Sequence, residues 1–383
     1  MLKQINFWNT IVVLQVVFAL ILLFFLVRLI KKSKIYIPLL IFAILTVFDS
    51  IILVLSYTGL IEKLPHLINT NESLFLLYGL LLFLYIRNLL HRRLIYKKSD
   101  VLFFLPFIVS LLVYLPYFFK TAAEKLSYYN AESGIDFSEE IWEWLFYFLV
   151  NIYFLWKALE TLNVFNFNQK KQLSDVENSN LLYTSKLIKV CIILFCLEFV
   201  LVYISFLGFK HFEEIYLILN FLNGIVFLLI ALDAVVHSKY ILEDQNSLIA
   251  LPILKEEENE TNKYAKSSLT EISSKKIKTI LLEFMENEKP YLTPKLRIKD
   301  LSELTNIPAH HISQVINESF QQNFYEFINA YRIKEAVLLL KDPKLKEYTY
   351  ESIAYDVGFN SRSAFYTAFK KIYNTTPTKY LKK

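Results

Sequence analysis

The sequence predicts an all-α protein in which a bundle of seven transmembrane helices precedes a soluble domain with two helix-turn-helix units and a bridging helix. Three observations predict this fold. First, 55% of the 383 residues are hydrophobic, more than a soluble core of this size can bury. Second, apolar runs long enough to cross a bilayer recur up to residue 236 and then stop. Third, the remaining chain has apolar residues at helical spacing with turn residues between them.

The first 236 residues contain seven apolar runs that we interpret as membrane spans. A bilayer core of about 30 Å needs roughly 20 residues of helix, and backbone groups in hydrocarbon need partners within the chain. The third run is short, and the first is too long for a signal peptide and lacks a cleavage site. The predicted spans are Phe7–Ile30, Ile35–Tyr57, Leu74–Leu90, Val101–Phe119, Ile141–Leu162, Leu187–Phe209 and Ile215–Val236.

The connections between these runs alternate in charge, which predicts the orientation. Basic residues concentrate in the first, third and fifth connections, as in Lys31, Arg92 and Lys170. The other connections are acidic or nearly neutral. Because cytoplasmic loops retain Lys and Arg, the N-terminus is predicted outside and the chain after residue 236 in the cytoplasm.

A change in composition marks the domain boundaries. From Ser238 to about Thr270 the chain has mixed charge, which is typical of a solvated linker. We therefore predict a transmembrane domain over residues 1–237, a cytoplasmic linker over 238–270 and a helical domain over 271–383. The predicted location is the cytoplasmic (inner) membrane, with the C-terminal domain in the cytoplasm.

The last 33 residues contain the pattern of a helix-turn-helix unit. Thr349 can cap a short helix, and Gly358 can supply the left-handed turn that ends it. A second helix starts near Ser361, with an expected buried side of Ala364, Phe365, Ala368, Phe369 and Ile372. Its outer side is polar and basic and suits the major groove of DNA: Arg362, Ser363, Tyr366, Thr367 and Lys370.

Charge supports this interpretation. No acidic residue follows Asp356, and the basic residues after it suit phosphate contacts, chiefly Lys370, Lys371 and Lys379. The alternative for this segment alone is a cytoplasmic helix bundle whose basic end attaches to anionic lipid.

A second copy of the pattern lies about 53 residues earlier, in "KDLSELTNIPAHHISQVINESF". Asn306 stands at the place of Gly358, and Pro308 is predicted to open the second helix. The polar face of that helix matches the later copy position for position: Ala309, His310, Ser313, Gln314 and Asn317. Between the copies, a long apolar helix is predicted to hold both units: Phe324, Phe327, Ile328, Tyr331, Val337, Leu338 and Leu340.

At these residues the chain resembles the AraC/XylS family of bacterial transcription regulators, over roughly residues 277–380. The likeness rests on "DLSELTNIPAHHISQVI", "FYEFINAYRIKEAVLLL" and "SIAYDVGFNSRSAFYTAFKKIYNTTPTKY". It implies a seven-helix DNA-binding domain that puts two helices into successive major-groove segments. By the resemblance, the base-reading positions are Ala309, His310, Ser313, Gln314, Arg362, Ser363, Tyr366 and Thr367. Gln322 and Asn374 replace a usual Gly, and Leu381 an Arg.

The chemistry-bearing motifs of common enzymes are absent from the sequence, which contains no G-x-G-x-x-G, Walker A, H-E-x-x-H, C-x-x-C or G-x-S-x-G motif. His310 and His311 are adjacent and point about 100° apart on a helix, so we do not expect them to hold a metal. No catalytic activity, cofactor or metal is predicted.

Ionisable residues within the predicted spans are candidates for a signal site. Asp49, Glu198 and Asp233 each cost about 2.5 to 3.5 kcal/mol at the centre of a membrane helix and should face the bundle. The alternative is helix-to-helix hydrogen bonding. Trp142 and Trp144 are predicted to mark the outer interface instead of a ligand pocket.

The predicted function is a membrane-tethered regulator that binds double-stranded DNA and responds to an unidentified ligand or membrane partner. The lipid bilayer is the second partner, and a homodimer is possible but not required. One alternative is a transporter or channel with a cytoplasmic helical domain that does not bind DNA. Another is release of the DNA-binding domain by proteolysis within the linker.

Overall fold

The computed structural model describes residues 7–91, 93–131, 141–174, 181–206, 213–243, 271–342 and 348–380. Most of the predicted linker lies outside these residues, as do Arg92, Lys382 and Lys383. The described chain is helical and contains no strand, and its one isolated bridge joins Leu173 to Arg297. The prediction of an all-α protein is therefore confirmed for the described residues.

The described part of residues 1–243 forms α-helices separated by short 3-10 turns. The α-helices are α1 (Phe7–Ile30), α2 (Ile37–Thr58), α3 (Phe75–His91), α4 (Leu105–Phe118), α5 (Ala122–Ala131), α6 (Ile141–Gln172), α7 (Leu181–Phe206) and α8 (Glu213–Glu243). Seven helical segments of this region are long and apolar enough to cross a membrane, and each overlaps one predicted span.

Three differences from the prediction concern helix ends. The fourth segment starts as a 3-10 helix, Lys98–Phe104, and only then becomes α-helical. α6 continues ten residues past the predicted end of its span, because Gln and Lys favour helix without favouring lipid. α5 lies in a connection that we expected to be a loop; its start is capped by Thr121 and Glu124, a T-x-x-E signal visible in the sequence.

The short helix α3 is the most enclosed of the seven segments. In the segment Pro65–His91, 83% of the most apolar stretch of 18 residues is buried, against 6% in the segment Lys98–Phe118, which contains α4. Gly79 allows a close approach to α6, since its N–H donates to Asn151 Oδ1 at 2.8 Å and an added Cβ would lie 2.8 Å from the Asn151 carbonyl oxygen. Near its other end, Arg87 forms a buried two-bond ion pair with Asp100. α3 is therefore a central helix of this region.

After residue 270 the described chain forms α9 (Glu271–Asn287), α10 (Ile298–Thr305), α11 (Ala309–Phe320), α12 (Phe324–Lys341), α13 (Tyr350–Asp356), α14 (Arg362–Tyr373) and the short α15 (Pro377–Tyr380). The pattern of two helix pairs with one long helix between them matches the predicted arrangement.

The chain divides into two compact units. The first contains residues 1–163 and 181–251, and the second contains residues 164–180 and 252–383. Residues 164–174, the described part of a segment that we predicted as part of the fifth connection, thus belong structurally with the C-terminal helices. Helix α6 supplies residues to both units.

Candidate nucleic-acid interface

The first helix-turn-helix unit is α10 and α11. Asp300 closes the start of α10 by accepting a hydrogen bond from the Arg297 backbone N–H at 2.8 Å and ion-pairing with its guanidinium. Burial alone would raise the pKa of Asp300, but these contacts with Arg297 hold it below its usual value. Asn306 ends the helix with φ of 56°, the left-handed conformation predicted for this position.

The second helix-turn-helix unit is α13 and α14. Thr349 caps α13 by accepting from Ser352 N–H at 3.1 Å, and Ser361 caps α14 by accepting from Ala364 N–H at 3.0 Å. Gly358 has φ of 91°. The predicted cap Thr349 and turn residue Gly358 are confirmed, and α14 begins beside Ser361 as predicted.

The two groove helices are equivalent in length and ending. α11 and α14 each have 12 residues, and left-handed residues 53 positions apart end them, Gln321 with φ of 53° and Asn374 with φ of 52°. One detail of the prediction changes, since Pro308 is the N-cap of α11 instead of its first helical residue. Gln321, the neighbour of Gln322, is the residue with positive φ before the bridging helix.

Helix α12 bridges two hydrophobic cores, one for each unit. Its first half contributes Phe324, Phe327 and Ile328 to the core under α11, and its second half contributes Ile333, Ala336 and Val337 to the core under α14. Leu338, predicted to be buried, is 59% exposed, and Ile372 of α14 is 43% exposed. Ile372 lies in the last turn of α14, and Leu338 lies on the side of α12 away from Ile333 and Ala336.

The fully buried Arg332 ties the bridging helix to the chain around both units. Its guanidinium donates to the Tyr291 carbonyl at 2.6 Å and the Thr293 carbonyl at 2.9 Å, and it lies over the ring of Phe359. A Cβ added to Gly358 would lie 2.6 Å from the same Tyr291 oxygen. The second turn therefore needs glycine for its φ and for this close backbone contact.

Arg332 also binds the segment from the fifth connection. Its Nη2 donates to Ser174 Oγ at 3.2 Å, and Ser174 N–H donates to the Leu296 carbonyl at 3.0 Å. Ser174 is 1% exposed. The sequence contained no signal for this contact, because it joins residues more than 100 positions apart.

The polar side chains of α11 lie where the sequence predicted, outside the core. His310 and Asn317 are exposed, Ser313 and Gln314 are half-buried, and Ala309 packs partly against the core. Gln314 Nε2 donates to Glu318 Oε1 at 2.9 Å. The face therefore offers amide, hydroxyl and imidazole groups, the kinds that recognise base edges.

The corresponding face of α14 is more exposed and more basic. Arg362, Ser363 and Thr367 are exposed, and Tyr366 is half-buried. The Arg362 guanidinium lies 5.1 Å from the centre of the Tyr366 ring. This stacking restricts the arginine side chain near the start of the helix.

The three lysines predicted to contact phosphates differ in their surroundings. Lys370 and Lys379 are exposed. Lys371 Nζ is 2.5 Å from Glu326 Oε1. Burial favours the protonated form of Glu326, but Lys371, the Asn323 backbone N–H and the charge of Lys170 lower its pKa below the usual value. Lys371 is therefore already engaged by a carboxylate.

The adjacent histidines of α11 lie close to each other. The rings of His310 and His311 are 4.0 Å apart at their centres, and no group of three or more His, Cys, Asp or Glu side chains suited to a metal occurs among the described residues. Burial, and secondarily the charge of His310, lower the pKa of His311.

The three candidate signal residues lie in the first compact unit, residues 1–163 and 181–251. Two of them share a cavity, and the third does not. Asp49 and Glu198 line the same cavity, where Asp49 accepts from Asn71 and Glu198 accepts from Asn223. Asp233 is not among the cavity's lining residues and accepts from Thr184. Trp144, predicted to mark the outer interface, also lines the cavity, whereas Trp142 is 78% exposed.

Comparison with known proteins identifies the C-terminal region. Residues 301–383 match a helix-turn-helix domain family of the AraC type. The chain is 30% identical over 87 residues to the Msm operon regulatory protein of Streptococcus mutans, and 27% identical over 88 residues to the uncharacterized HTH-type transcriptional regulator YdeC of Bacillus subtilis. Each match covers 23% of this chain and 30% and 29% of the respective relatives. No solved structure matches the chain.

Proposed function

We propose that the protein is a membrane-tethered transcription regulator that binds DNA in a sequence-specific way through both helix-turn-helix units. The observation that carries the proposal is the pair of 12-residue helices, α11 and α14, with polar outer faces at a constant offset of 53 residues and one bridging helix between their cores. The AraC-type domain match and the two regulator relatives support the same function.

Specific residues of the two faces have separate roles in this proposal. Arg362 and Gln314 suit bidentate recognition, Arg of a guanine and Gln of an adenine. The remaining positions, His310, Ser313, Asn317, Ser363, Tyr366 and Thr367, line the same two faces, while Ala309 gives an apolar contact. Lys370 and Lys379 supply phosphate contacts, and Lys371 does so only when it leaves Glu326.

The proposal of membrane tethering rests on the outer surfaces of the first unit. Seven helical segments have the length and composition of spans, and large apolar side chains point away from the unit, such as Leu112 at 61% and Val113 at 71% exposure. Water would make such a continuous surface costly, whereas lipid covers it. The cytoplasmic (inner) membrane and a cytoplasmic C-terminal domain follow from the alternating loop charges.

We assign the coupling between sensing and DNA binding to residues 164–174. α6 belongs to the first unit up to Asn163, and its continuation leads to Ser174, which binds Arg332 at the centre of the second unit. A movement of α6 would therefore shift Ser174 and with it Arg332, which also binds the carbonyls of Tyr291 and Thr293. A fragment that starts at Ser268 lacks this segment.

DNA binding is tested with full-length protein in lipid nanodiscs. Selection from a random duplex library should yield a two-part motif, and the binding constant should fall steeply with salt. Arg362→Ala combined with Gln314→Ala should relax the motif while leaving salt-sensitive binding. Absence of any salt-sensitive binding to duplexes would overturn the proposal in favour of a transporter or channel whose cytoplasmic domain has another partner.

The coupling is tested with Ser174→Ala, which removes one acceptor of Arg332, and with Gln172→Ala as a control on the same segment. We expect Ser174→Ala to lower the free energy of unfolding of the second unit by about 1 kcal/mol and to change reporter transcription in cells. Gln172→Ala should change neither. Equal reporter output from wild type, Ser174→Ala and a fragment starting at Ser268 under every growth condition would refute the coupling. Blotting for a soluble fragment distinguishes tethered action from proteolytic release.

A further inference from the structure

The first unit contains a cavity of about 100 Å³ that six of its helices line. Nine of the 18 lining residues are aromatic, and they include Phe42, Tyr78, Trp144 and Phe199. The lining contains two carboxylic acids, Asp49 and Glu198, and no Lys, Arg or His. Aromatic faces and carboxylates are both negative, so the cavity is complementary to a cation.

The two carboxylates have amide partners only, among the residues that the structure describes. Asn71 Nδ2 donates to Asp49 at 2.5 Å, and Asn223 Nδ2 donates to Glu198 at 2.7 Å. Asn223 is 6% exposed, and its Oδ1 has no partner within the described chain. A neutral amide does not compensate a buried negative charge as a cation does. The cavity therefore contains acceptors that a ligand with N–H donors can satisfy.

Other polar residues of this cavity are explained by hydrogen bonds within the protein, whereas Asp49 and Glu198 are not fully explained by them. Asn151 uses all its groups: it accepts from Gly79 N–H and donates to the Phe75 and Tyr147 carbonyls. Gln15 donates to Asn220 at 2.7 Å. Asp49 and Glu198 instead keep carboxylate groups beside an open space.

The location of the cavity suits a ligand from outside the cell. By the proposed orientation, six polar lining residues lie in the outer halves of their helices, and Thr46 lies just on the inner side of the midpoint of α2: Gln15, Asp49, Asn151, Glu198, Asn220 and Asn223 are the six. Its volume is smaller than the roughly 150 Å³ of an apolar cavity that accepts benzene, which limits the ligand to a few heavy atoms.

We propose that this cavity is the signal site and that it binds a small organic cation, an alkylammonium ion of about five heavy atoms, between Glu198, Asp49 and the aromatic rings. The ammonium group donates to the carboxylates and to Asn223, and the alkyl group contacts the rings. The assignment as a signal site rests on the proposed function, whereas the binding itself does not.

The ligand class is tested by calorimetry on full-length protein in nanodiscs with three probes of five heavy atoms each: tert-butylammonium, neutral tert-butanol and anionic propionate. We expect the cation to bind at least tenfold more tightly than the alcohol, and propionate to bind no better than the alcohol. Glu198→Gln and Asp49→Asn should each weaken binding of the cation by at least tenfold and leave the alcohol unchanged. Asp233→Asn, which removes a carboxylate outside the cavity lining, should leave all three affinities unchanged.

A second variant tests the place of binding without removing a polar group. Gly224 lines the cavity, and a Cβ there would meet no atom within 4 Å, so Gly224→Leu should fill the space and abolish binding while the protein still folds. Equal affinity for cation and alcohol, absence of cation binding to the wild type, or full binding by Gly224→Leu would each overturn the proposal. Because duplex binding is measured separately, such a result would leave the proposed DNA-binding function standing.

Discussion

The two helix-turn-helix units have the same geometry and opposite charge. Residues 298–321 contain one lysine and three acidic residues, whereas the matching residues 350–374 contain three basic and two acidic residues. The unit with α14 therefore attracts the phosphate backbone more strongly, while the unit with α11 presents mainly uncharged hydrogen-bonding groups. The unit with α14 is therefore expected to contribute more of the binding affinity, whereas both units contribute to base discrimination.

The turns of the two units differ as well. Asn306 adopts the left-handed conformation with its own side chain exposed, whereas Gly358 is buried against the carbonyls of Tyr291 and Leu292. The first turn therefore depends on conformation alone, and the second depends on conformation and space. The following variants test these contrasts.

The largest effect is expected at the turns. Gly358→Ala should lower the free energy of unfolding by about 3 kcal/mol or more, because it adds a positive-φ penalty and a contact below 3 Å with backbone oxygens. Asn306→Ala should cost only about 1 to 2 kcal/mol, the left-handed penalty alone. Denaturant unfolding of both variants in nanodiscs measures the difference. Equal costs would mean that the Tyr291 contact relaxes.

The next effect concerns base readout. Arg362→Ala and Gln314→Ala should each reduce discrimination at one position of the bound sequence by about 1 to 3 kcal/mol. Only Arg362→Ala should also weaken binding to unrelated duplexes, because it removes a charge. Competition binding with single-base variants of the selected site measures both quantities. A change of discrimination at the same base in both variants would contradict the two-unit arrangement.

A smaller effect separates the neighbouring lysines. Lys370→Ala should reduce the slope of log affinity against log salt by about one. Lys371→Ala should reduce it less, because Lys371 is paired with Glu326. Glu326→Gln should release Lys371 and tighten DNA binding. Equal slopes for the two lysine variants would show that the ion pair opens in the complex.

The smallest effect is the response to acid. The lowered pKa of Asp300 means that its contribution to stability is present above its unfolded-state pKa, about 4, and is lost as pH falls through the lower folded-state value. Asp300→Asn should therefore flatten part of the stability loss between about pH 4.5 and pH 3. Thermal unfolding across this range is the measurement. An unchanged pH profile would show that the cap at α10 does not contribute.

Local signals in the sequence predicted much of the two helix-turn-helix units. Thr349, Ser361, Gly358 and Asn306 act within a few residues of their own position, so caps and turns follow from residue type. Hydropathy likewise placed seven long helices, because apolar composition is a property of a segment. It misjudged the end of α6, since hydropathy reports the preference for lipid and not the preference for helix.

The sequence by itself determined the helices, the repeated turn pattern and the polar faces of α11 and α14, because these depend on contacts three or four residues apart. Only the tertiary structure decided that Ser174 joins Arg332, that Lys371 is paired with Glu326, and that Asp49 and Glu198 line one cavity while Asp233 does not. Those relations join residues distant in the chain, and they depend on how helices pack, which no local spacing encodes.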